Sequence, residues 1–567
     1  MSSLYCFGII LGVIAFTLPA LFLPQSLHHP LSFPTFSKPN SDFSWQEVIP
    51  QKKLIWKNCY THHQCTRLVV PLNHFNPEGR QATIALIRIP SSYPISSKKY
   101  RGPILFNPGG PGGEGIGLIQ RQGEHFRRIV GPQFDIVGFD PRGIGRSTPR
   151  TSLFKNDVER AIWDAGSGQV NTTDEGVAKT WARAIVLGQN AADNDDGSLQ
   201  FMNTEQTARD MLSIVEAHGR SKLQYWGFSY GTVLGAVFAS LFPGKIERMI
   251  LDGVVDVDEY FGNKWSNKLL HTAEVMDLFI SSCVEAGSSG CAFWAPTVDQ
   301  LRLKIDNLYS SVRRRPVPVK SGSTYGLVDY DKLRGVIFKL LKSPYASFQP
   351  LAKGLADLAA GDGLWVLKMY NQLIVPRFDH QCNSSTPNHD PIGESDGGIA
   401  VLCNDNHELP EDIKWAEDFY QLMINGSEWG DVWSRYLMSC QGWPISIKQP
   451  FRGPFGGDTS HPILLIGNTL DPVTPLFGAH KASKVFPGSV VLTQGAAGHC
   501  SIVAHSSCTQ TYIREYFIDG TLPEVATTCH ANASFFLDRS HHSPLDEVQH
   551  NLSDDMEWLS LSFTGAI

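Results

Sequence analysis

A serine framed by glycines, Gly227-Phe228-Ser229-Tyr230-Gly231, sits between a short β-prone run, Leu223–Trp226, and a small-residue apolar segment, Thr232–Ala239. That order predicts a sharp strand-to-helix turn with the serine at its apex. Such a turn holds its backbone in a sparsely populated region. Side chains two residues to either side collide with the crossing strand and helix, so glycine is the residue that fits. A chain with 51 glycines produces the same pattern by accident as well, and Gly393-Glu394-Ser395-Asp396-Gly397 matches it. That copy follows Ser384–Pro391, a run of turn-forming residues with no strand, so only Ser229 has the required context.

The elbow belongs to a longer rhythm. Apolar β-type runs at Arg67–Pro71 and Ala82–Ile89 precede Pro103–Asn107, a glycine-rich turn and Phe134–Asp140. Thr204–His218 reads as a helix leading into the elbow strand, and Arg248–Asp252 as a further buried strand. Strands alternating with helices indicate a parallel α/β sheet. Between about residues 256 and 441 the pattern changes to amphipathic helices, among them Lys264–Ala286, Thr297–Val312 and Tyr330–Leu341. Sheet rhythm returns with Pro462–Gly467 and Ser489–Thr493. A helical insertion in a sheet protein predicts a cap over its site. The expected organisation is an apolar N-terminal segment (1–24), an extended leader (25–55), a first core part (56–256), a helical cap (257–440), a second core part (441–540) and a tail (541–567).

A serine becomes a strong nucleophile when a base removes its proton and an acid orients that base. Residues 463–467 run straight into Asn468–Pro475, which puts Asp471 just past a strand's C-terminal end, where open α/β sheets gather their sites. The next strand leads into a glycine-rich loop presenting His499. The order Ser229, Asp471, His499 is the one that accompanies this type of elbow. Asp252 and Asp256 are rival acids, and His480, His505 and His530 rival bases; position favours Asp471 and His499. The turn Asn107–Gly115 adds bare backbone N–H groups suited to an oxyanion. The expected donors are the N–H of Tyr230 and that of Gly110 or, less favoured, Gly109.

The same turn contains Gly110-Pro111-Gly112-Gly113-Glu114-Gly115, a G-x-G-x-x-G after a strand, with Asp140 placed like a ribose-binding acid. Two prolines and the absence of a clear helix start at Gly115 count against a dinucleotide. That reading also leaves Ser229, Asp471 and His499 without a role, so no cofactor is expected. No cysteines form CxxC pairs with histidines at zinc-ligand spacing, so no metal is expected either. A net charge of −7 with 18% charged residues gives no basic surplus for nucleic acid.

Assembled, these residues resemble the tripeptidyl-aminopeptidase-like serine hydrolases, relatives of the proline iminopeptidases within the α/β-hydrolase fold. The matching pieces are Asn107–Gly115, Phe139–Ser147, Gly227–Gly231, Leu251–Asp256, Gly467–Pro475 and Gly498-His499, with Cys440–Pro444 resembling the opening of the family's C-terminal segment. The resemblance runs from about Trp56 to Cys529. It implies a mostly parallel central sheet flanked by helices with a large helical cap, a Ser229–Asp471–His499 triad, and release of short peptides or residues from free N-termini. A carboxylesterase with the same machinery is the alternative, since only the pocket differs, and a non-catalytic binding protein is a more distant one. Glu114 stands where a small residue, usually serine, is typical; its carboxylate either binds a substrate's terminal ammonium or faces solvent. Arg142 and Asp140 read as structural.

The compartment follows from the N-terminus and the cysteines. Leu4–Leu23 is an apolar run that suits a cleaved export signal or an uncleaved membrane anchor. Beyond Cys6 there are ten cysteines, an even number that fits an oxidising environment. Short spacings pair Cys59–Cys65, Cys283–Cys291 and Cys508–Cys529; Cys403–Cys440 is a weaker pairing, which leaves Cys382 and Cys500. Glycosylation sequons stand at Asn171, Asn383, Asn425, Asn532 and Asn551. A secreted glycoprotein acting on a peptide or ester is the expectation.

Overall fold

The computed structural model describes residues 43–374, 395–444 and 450–536. Leu4–Leu23, Cys382, Asn383 and Asn551 lie outside them. Ten strands form one sheet: β1 (Lys57–Cys59), β2 (His63–Pro71), β3 (Gln81–Ile89), β4 (Gly102–Asn107), β5 (Phe134–Phe139), β6 (Leu223–Phe228), β7 (Ile246–Asp252), β10 (Leu464–Leu470), β11 (Val490–Ala497) and β12 (Thr528–His530). Their spatial order is β1-β2-β3-β5-β4-β6-β7-β10-β11-β12. Pairings from β1 through β5 are antiparallel and those from β5 to β12 parallel.

A parallel sheet is stable only when both faces are covered, so its strands are apolar throughout. In β4, Leu105 packs into one core while Ile104 and Phe106 enter the other, the two-residue period of a strand. Helices Thr204–Ala217 and Tyr230–Leu241 cover the first face; Gly115–Val130 and Ser507–Asp519 cover the second.

Between β7 and β10 lies a largely helical insertion, including Val257–Phe261, Thr272–Glu285, Val298–Arg314, Tyr330–Leu340, Pro344–Ala359 and Ser395–Asp405. Two features differ from the sequence expectation. The insertion carries a hairpin, β8 (Val317–Ser321) with β9 (Thr324–Val328). The helix expected from Lys264 begins only at Thr272, because Asn263 and Trp265 adopt left-handed backbone (φ 57° and 43°) that a helix cannot include.

A third difference concerns the glycine-rich turn. A 16-residue helix does start at Gly115. Its cap is non-local: Glu114 makes no side-chain cap bond, and Asp140 Oδ1 accepts from the N–H of Ile116 at 3.0 Å. Asp140 is fully buried and its Oδ2 also accepts from Arg146 N at 2.9 Å, so the carboxylate is unavailable to a ribose.

Arg142 has the structural role read from the sequence. Both it and Asp210 are fully buried, joined at 2.7 and 2.6 Å, and Arg142 Nη1 also donates to the Leu72 carbonyl at 2.5 Å. Breaking such a pair leaves an uncompensated buried charge. We expect Arg142→Met to lower unfolding stability by about 3–5 kcal/mol, measured by denaturant titration.

All four pairings offered from the sequence are disulfides: Cys59–Cys65, Cys283–Cys291, Cys403–Cys440 and Cys508–Cys529. Such bonds fit an extracellular type of environment. Among the described residues Cys500 is free and buried, and no helix is long and apolar enough to cross a membrane. Asn425 and Asn532 are exposed. Asn171 is half-buried, with its amide donating to Tyr330 Oη at 3.1 Å.

Candidate active site

Strand β6 ends at Phe228, the helix Tyr230–Leu241 begins two residues later, and Ser229 between them has φ 54° and ψ −122°. This backbone is strained for a residue with a Cβ, and it persists because both of its peptide groups are bonded. Ser229 N donates to the Asp252 carbonyl at 3.0 Å, and the Ser229 carbonyl accepts from Thr232 N at 2.8 Å and Thr232 Oγ1 at 2.6 Å. A Cβ on Gly227 would lie 2.4 Å from the Gly231 carbonyl oxygen, and one on Gly231 2.8 Å from that of Asn107. The collisions expected from the sequence are therefore present. Gly109 is pressed against the elbow as well, 2.4 Å from Phe228 O by the same measure.

Asp471 and His499 meet beside the C-terminal ends of β10 and β11. His499 Nδ1 lies 3.0 Å from Asp471 Oδ2 and 3.1 Å from Oδ1, with both residues buried. The carboxylate is the acceptor for the N–H of Val473 (3.0 Å), Thr474 (2.8 Å) and Cys500 (3.0 Å) and for Thr474 Oγ1 (2.7 Å). Burial alone pushes an acid up; here the adjacent His499 and the backbone donors outweigh it and hold Asp471 below the usual carboxylate range. The insertion reaches this dyad: the Lys342 carbonyl accepts from His499 N at 2.8 Å, and Thr272 Oγ1 donates to the Pro472 carbonyl at 2.5 Å.

The rivals are occupied elsewhere. Asp252 accepts from Ser501 N at 2.8 Å and Ser501 Oγ at 2.5 Å, fixing the loop after His499. Asp256 caps the helix Val257–Phe261 and pairs with Lys481 at 2.7 Å. Among the described residues, no bond joins His480, His505 or His530 to Asp471. Asp471, His499 and Cys500 offer ligand atoms within 4.8 Å of one another. Burial, however, keeps the Cys500 thiol well above its ordinary pKa, and the protonated thiol lies 3.4 Å from the Asp252 carbonyl, so this is a poor donor set for a metal.

A cleft of about 370 Å³, open mouth included, lies over the elbow. Gly110, Pro111, Ser229, Tyr230, Val473 and Thr474 line its core side, and Val255, Tyr260, Trp265, Lys268, Leu402 and Trp433 the rest. The Gly109 N–H is committed to Asn107 Oδ1 at 3.0 Å. The N–H groups of Gly110 and Tyr230 donate to no described residue, so the turn leaves these two available. Glu114 corrects the sequence reading. It does not line the cleft, and it does not stand free in solvent. Its carboxylate pairs with Arg146 Nη1 at 3.0 Å, and only 18% of its side chain is exposed.

Several residues here escape sequence reasoning. Thr474 bridges the dyad, 3.0 Å from His499 Nδ1, and its place in Asp471-Pro472-Val473-Thr474 was a usable local signal. Asp405 is buried within the insertion and accepts from Thr204 Oγ1 (2.5 Å) and Tyr260 Oη (3.0 Å), while Thr204 Oγ1 also meets Tyr230 Oη. This network holds two cleft tyrosines in place, and nothing in its local sequence announces it.

Residues 102–311 match the family model described as the alpha/beta hydrolase fold, and residues 426–529 the one described as TAP-like protein. The serine protease Hip1 of Mycobacterium tuberculosis is 28% identical over 481 residues, covering 82% of this chain and 87% of that protein. A tripeptidyl aminopeptidase of Streptomyces lividans is 26% identical over 484 residues, covering 83% and 84%. Carboxylesterase B of Mycobacterium tuberculosis is 25% identical over 550 residues, covering 93% and 98%. With a strained serine elbow on a mostly parallel sheet, the chain is a serine-hydrolase-class enzyme of the α/β-hydrolase superfamily. Within that superfamily its sequence is related to the tripeptidyl aminopeptidases and the serine protease Hip1.

Proposed function

We propose that this enzyme is a secreted exopeptidase that releases residues or short peptides from free N-termini through a Ser229–His499–Asp471 triad. The observation that carries the reading is the buried Asp471–His499 Nδ1 pair beside a serine elbow. Asp471 fixes the imidazole with its Nδ1 protonated, which leaves Nε2 to take the Ser229 proton. The alkoxide attacks the carbonyl carbon, and the N–H groups of Gly110 and Tyr230 stabilise the oxyanion. His499 then protonates the leaving amine, and water activated by the same imidazole hydrolyses the acyl-enzyme. Secretion is supported by the disulfides and the apolar run at 4–23; Asn425 and Asn532 are the exposed glycan acceptors in the described residues.

A carboxylesterase is the second reading, favoured by the carboxylesterase B relative that aligns over nearly the whole chain. A panel of free and N-blocked aminoacyl and tripeptidyl anilides beside simple esters separates the two. The exopeptidase cleaves free peptides at least about ten-fold faster than blocked ones. Equal cleavage of both rejects the N-terminal requirement, and turnover of esters alone establishes the esterase.

A further inference from the structure

The cleft over Ser229 holds a cation that the proposed chemistry does not use. Lys268 lies in the connection between helices Val257–Phe261 and Thr272–Glu285 and lines the same cleft as Ser229, Gly110 and Tyr230. Its ammonium stands 4.8 Å from the ring centroid of Trp265 and 5.7 Å from that of Tyr260. Among the described residues it makes no hydrogen bond and no ion pair. Burial lowers its pKa to about 8 while Glu259 and Asp256 pull the other way, so the ammonium is charged at neutral pH. Lys268 is half-buried, and a cation partly withdrawn from water is costly unless a counter-charge answers it.

The connection that carries Lys268 is built with some strain. The left-handed residues Asn263 and Trp265 flank it on the N-terminal side, and such conformations persist only where the surroundings over-determine them. Glu259 supplies that hold: its carboxylate accepts from Asn267 N at 3.2 Å, Asn267 Nδ2 at 2.5 Å and Ser266 Oγ at 3.4 Å. Glu259 thus holds the loop through neutral donors, and its charge still acts on Lys268.

No carboxylate lines the cleft. The nearby acids are answered: Asp405 by Thr204 and Tyr260, Asp256 by Lys481, Asp471 by His499. The indole Nε1 atoms of Trp265 and Trp433 also lack an acceptor among the described residues, but both atoms are buried away from solvent. A carboxylate finds there an ammonium set against the rings of Trp265 and Tyr260.

We infer that Lys268 selects an anionic side chain on the acyl part of the substrate, so that the enzyme prefers peptides with Glu or Asp immediately before the scissile bond. Placing the anion on the acyl side rests on Ser229 as the nucleophile; the preference for a carboxylate in this cleft does not.

The test has two arms. Peptidyl anilides that differ only in Glu or Gln before the scissile bond are compared for kcat/KM. Binding of the corresponding uncleavable peptide amides is measured by calorimetry in Ser229→Ala. Glu exceeds Gln at least about ten-fold in both arms, Lys268→Met abolishes the difference, Lys268→Arg retains it, and Lys268→Glu shifts preference to a Lys-bearing peptide. Equal use and binding of Glu and Gln, or a ratio untouched in Lys268→Met, overturns the inference. A preference that follows a free C-terminal carboxylate instead also overturns it, since the anion then belongs to the leaving group. If Ser229→Ala turns over substrate near the parental rate, the nucleophile assignment falls, while the binding arm still decides the role of Lys268.

Discussion

Ser229→Ala lowers kcat by about 10⁶-fold and abolishes labelling by an alkyl fluorophosphonate. On the proposed mechanism the hydroxyl is the attacking group and the triad works as a unit, so removing it forfeits nearly the whole covalent route. The remaining turnover exceeds the uncatalysed reaction by about 10³–10⁴-fold, from the oxyanion donors and binding. The fold is retained, because the strained backbone at Ser229 is held by peptide-group bonds to Asp252 and Thr232 that do not involve its Oγ. A melting temperature near that of the parent enzyme checks this point. Turnover near the parental rate in the variant would remove Ser229 from the chemistry.

Asp471→Asn lowers kcat by about 10⁴-fold and also costs stability. Each carboxylate oxygen is an acceptor: Oδ1 for the N–H of Val473 and Thr474, Oδ2 for Cys500 N, Thr474 Oγ1 and His499 Nδ1. An asparagine offers one acceptor and one donor, so either orientation turns an NH₂ toward buried donors. With the amide nitrogen at the Oδ2 position, His499 is driven to the tautomer in which Nδ1 accepts, and Nε2 can no longer receive the serine proton. With it at the Oδ1 position, the turn Val473–Thr474 loses its anchor. About 1–3 kcal/mol of unfolding stability goes with each buried donor left unmet. Kinetics and a denaturant titration on the same variant read both losses. Full activity with lowered stability would reduce Asp471 to a turn-forming residue.

What the sequence disclosed about this molecule is what local chemistry encodes. The elbow was legible because its glycines stand two residues to either side of the serine, between a β-prone run and a small-residue apolar segment. Asp471 and His499 were legible because each follows a strongly apolar strand in a fixed order. The helix from Gly115 was not, since its cap is supplied by Asp140, 25 positions further on than the residue that opens it. Glu114 was misread for the same reason: its partner Arg146 is 32 residues away, and local sequence left only solvent or substrate as options. The cleft walls were the least visible part. Trp265, Lys268, Leu402 and Trp433 come from an insertion whose amphipathic periodicity reports burial without distinguishing a side chain packed in the core from one that reaches Ser229. Residues 312–425 of that insertion also fall between the two family-model matches.

The hydrogen bond from His499 N to the Lys342 carbonyl, together with that from Thr272 to the Pro472 carbonyl, has a consequence for how the enzyme comes into being. His499 and Asp471, the proposed base and acid, are emitted late in synthesis, and each is clasped by a segment made long before it. On that mechanism a half-made chain carries the nucleophile without its partners. The same clasps limit transplantation: exchanging the insertion for that of a relative, to change which substrates are admitted, also exchanges two of the bonds that hold the base and acid in place.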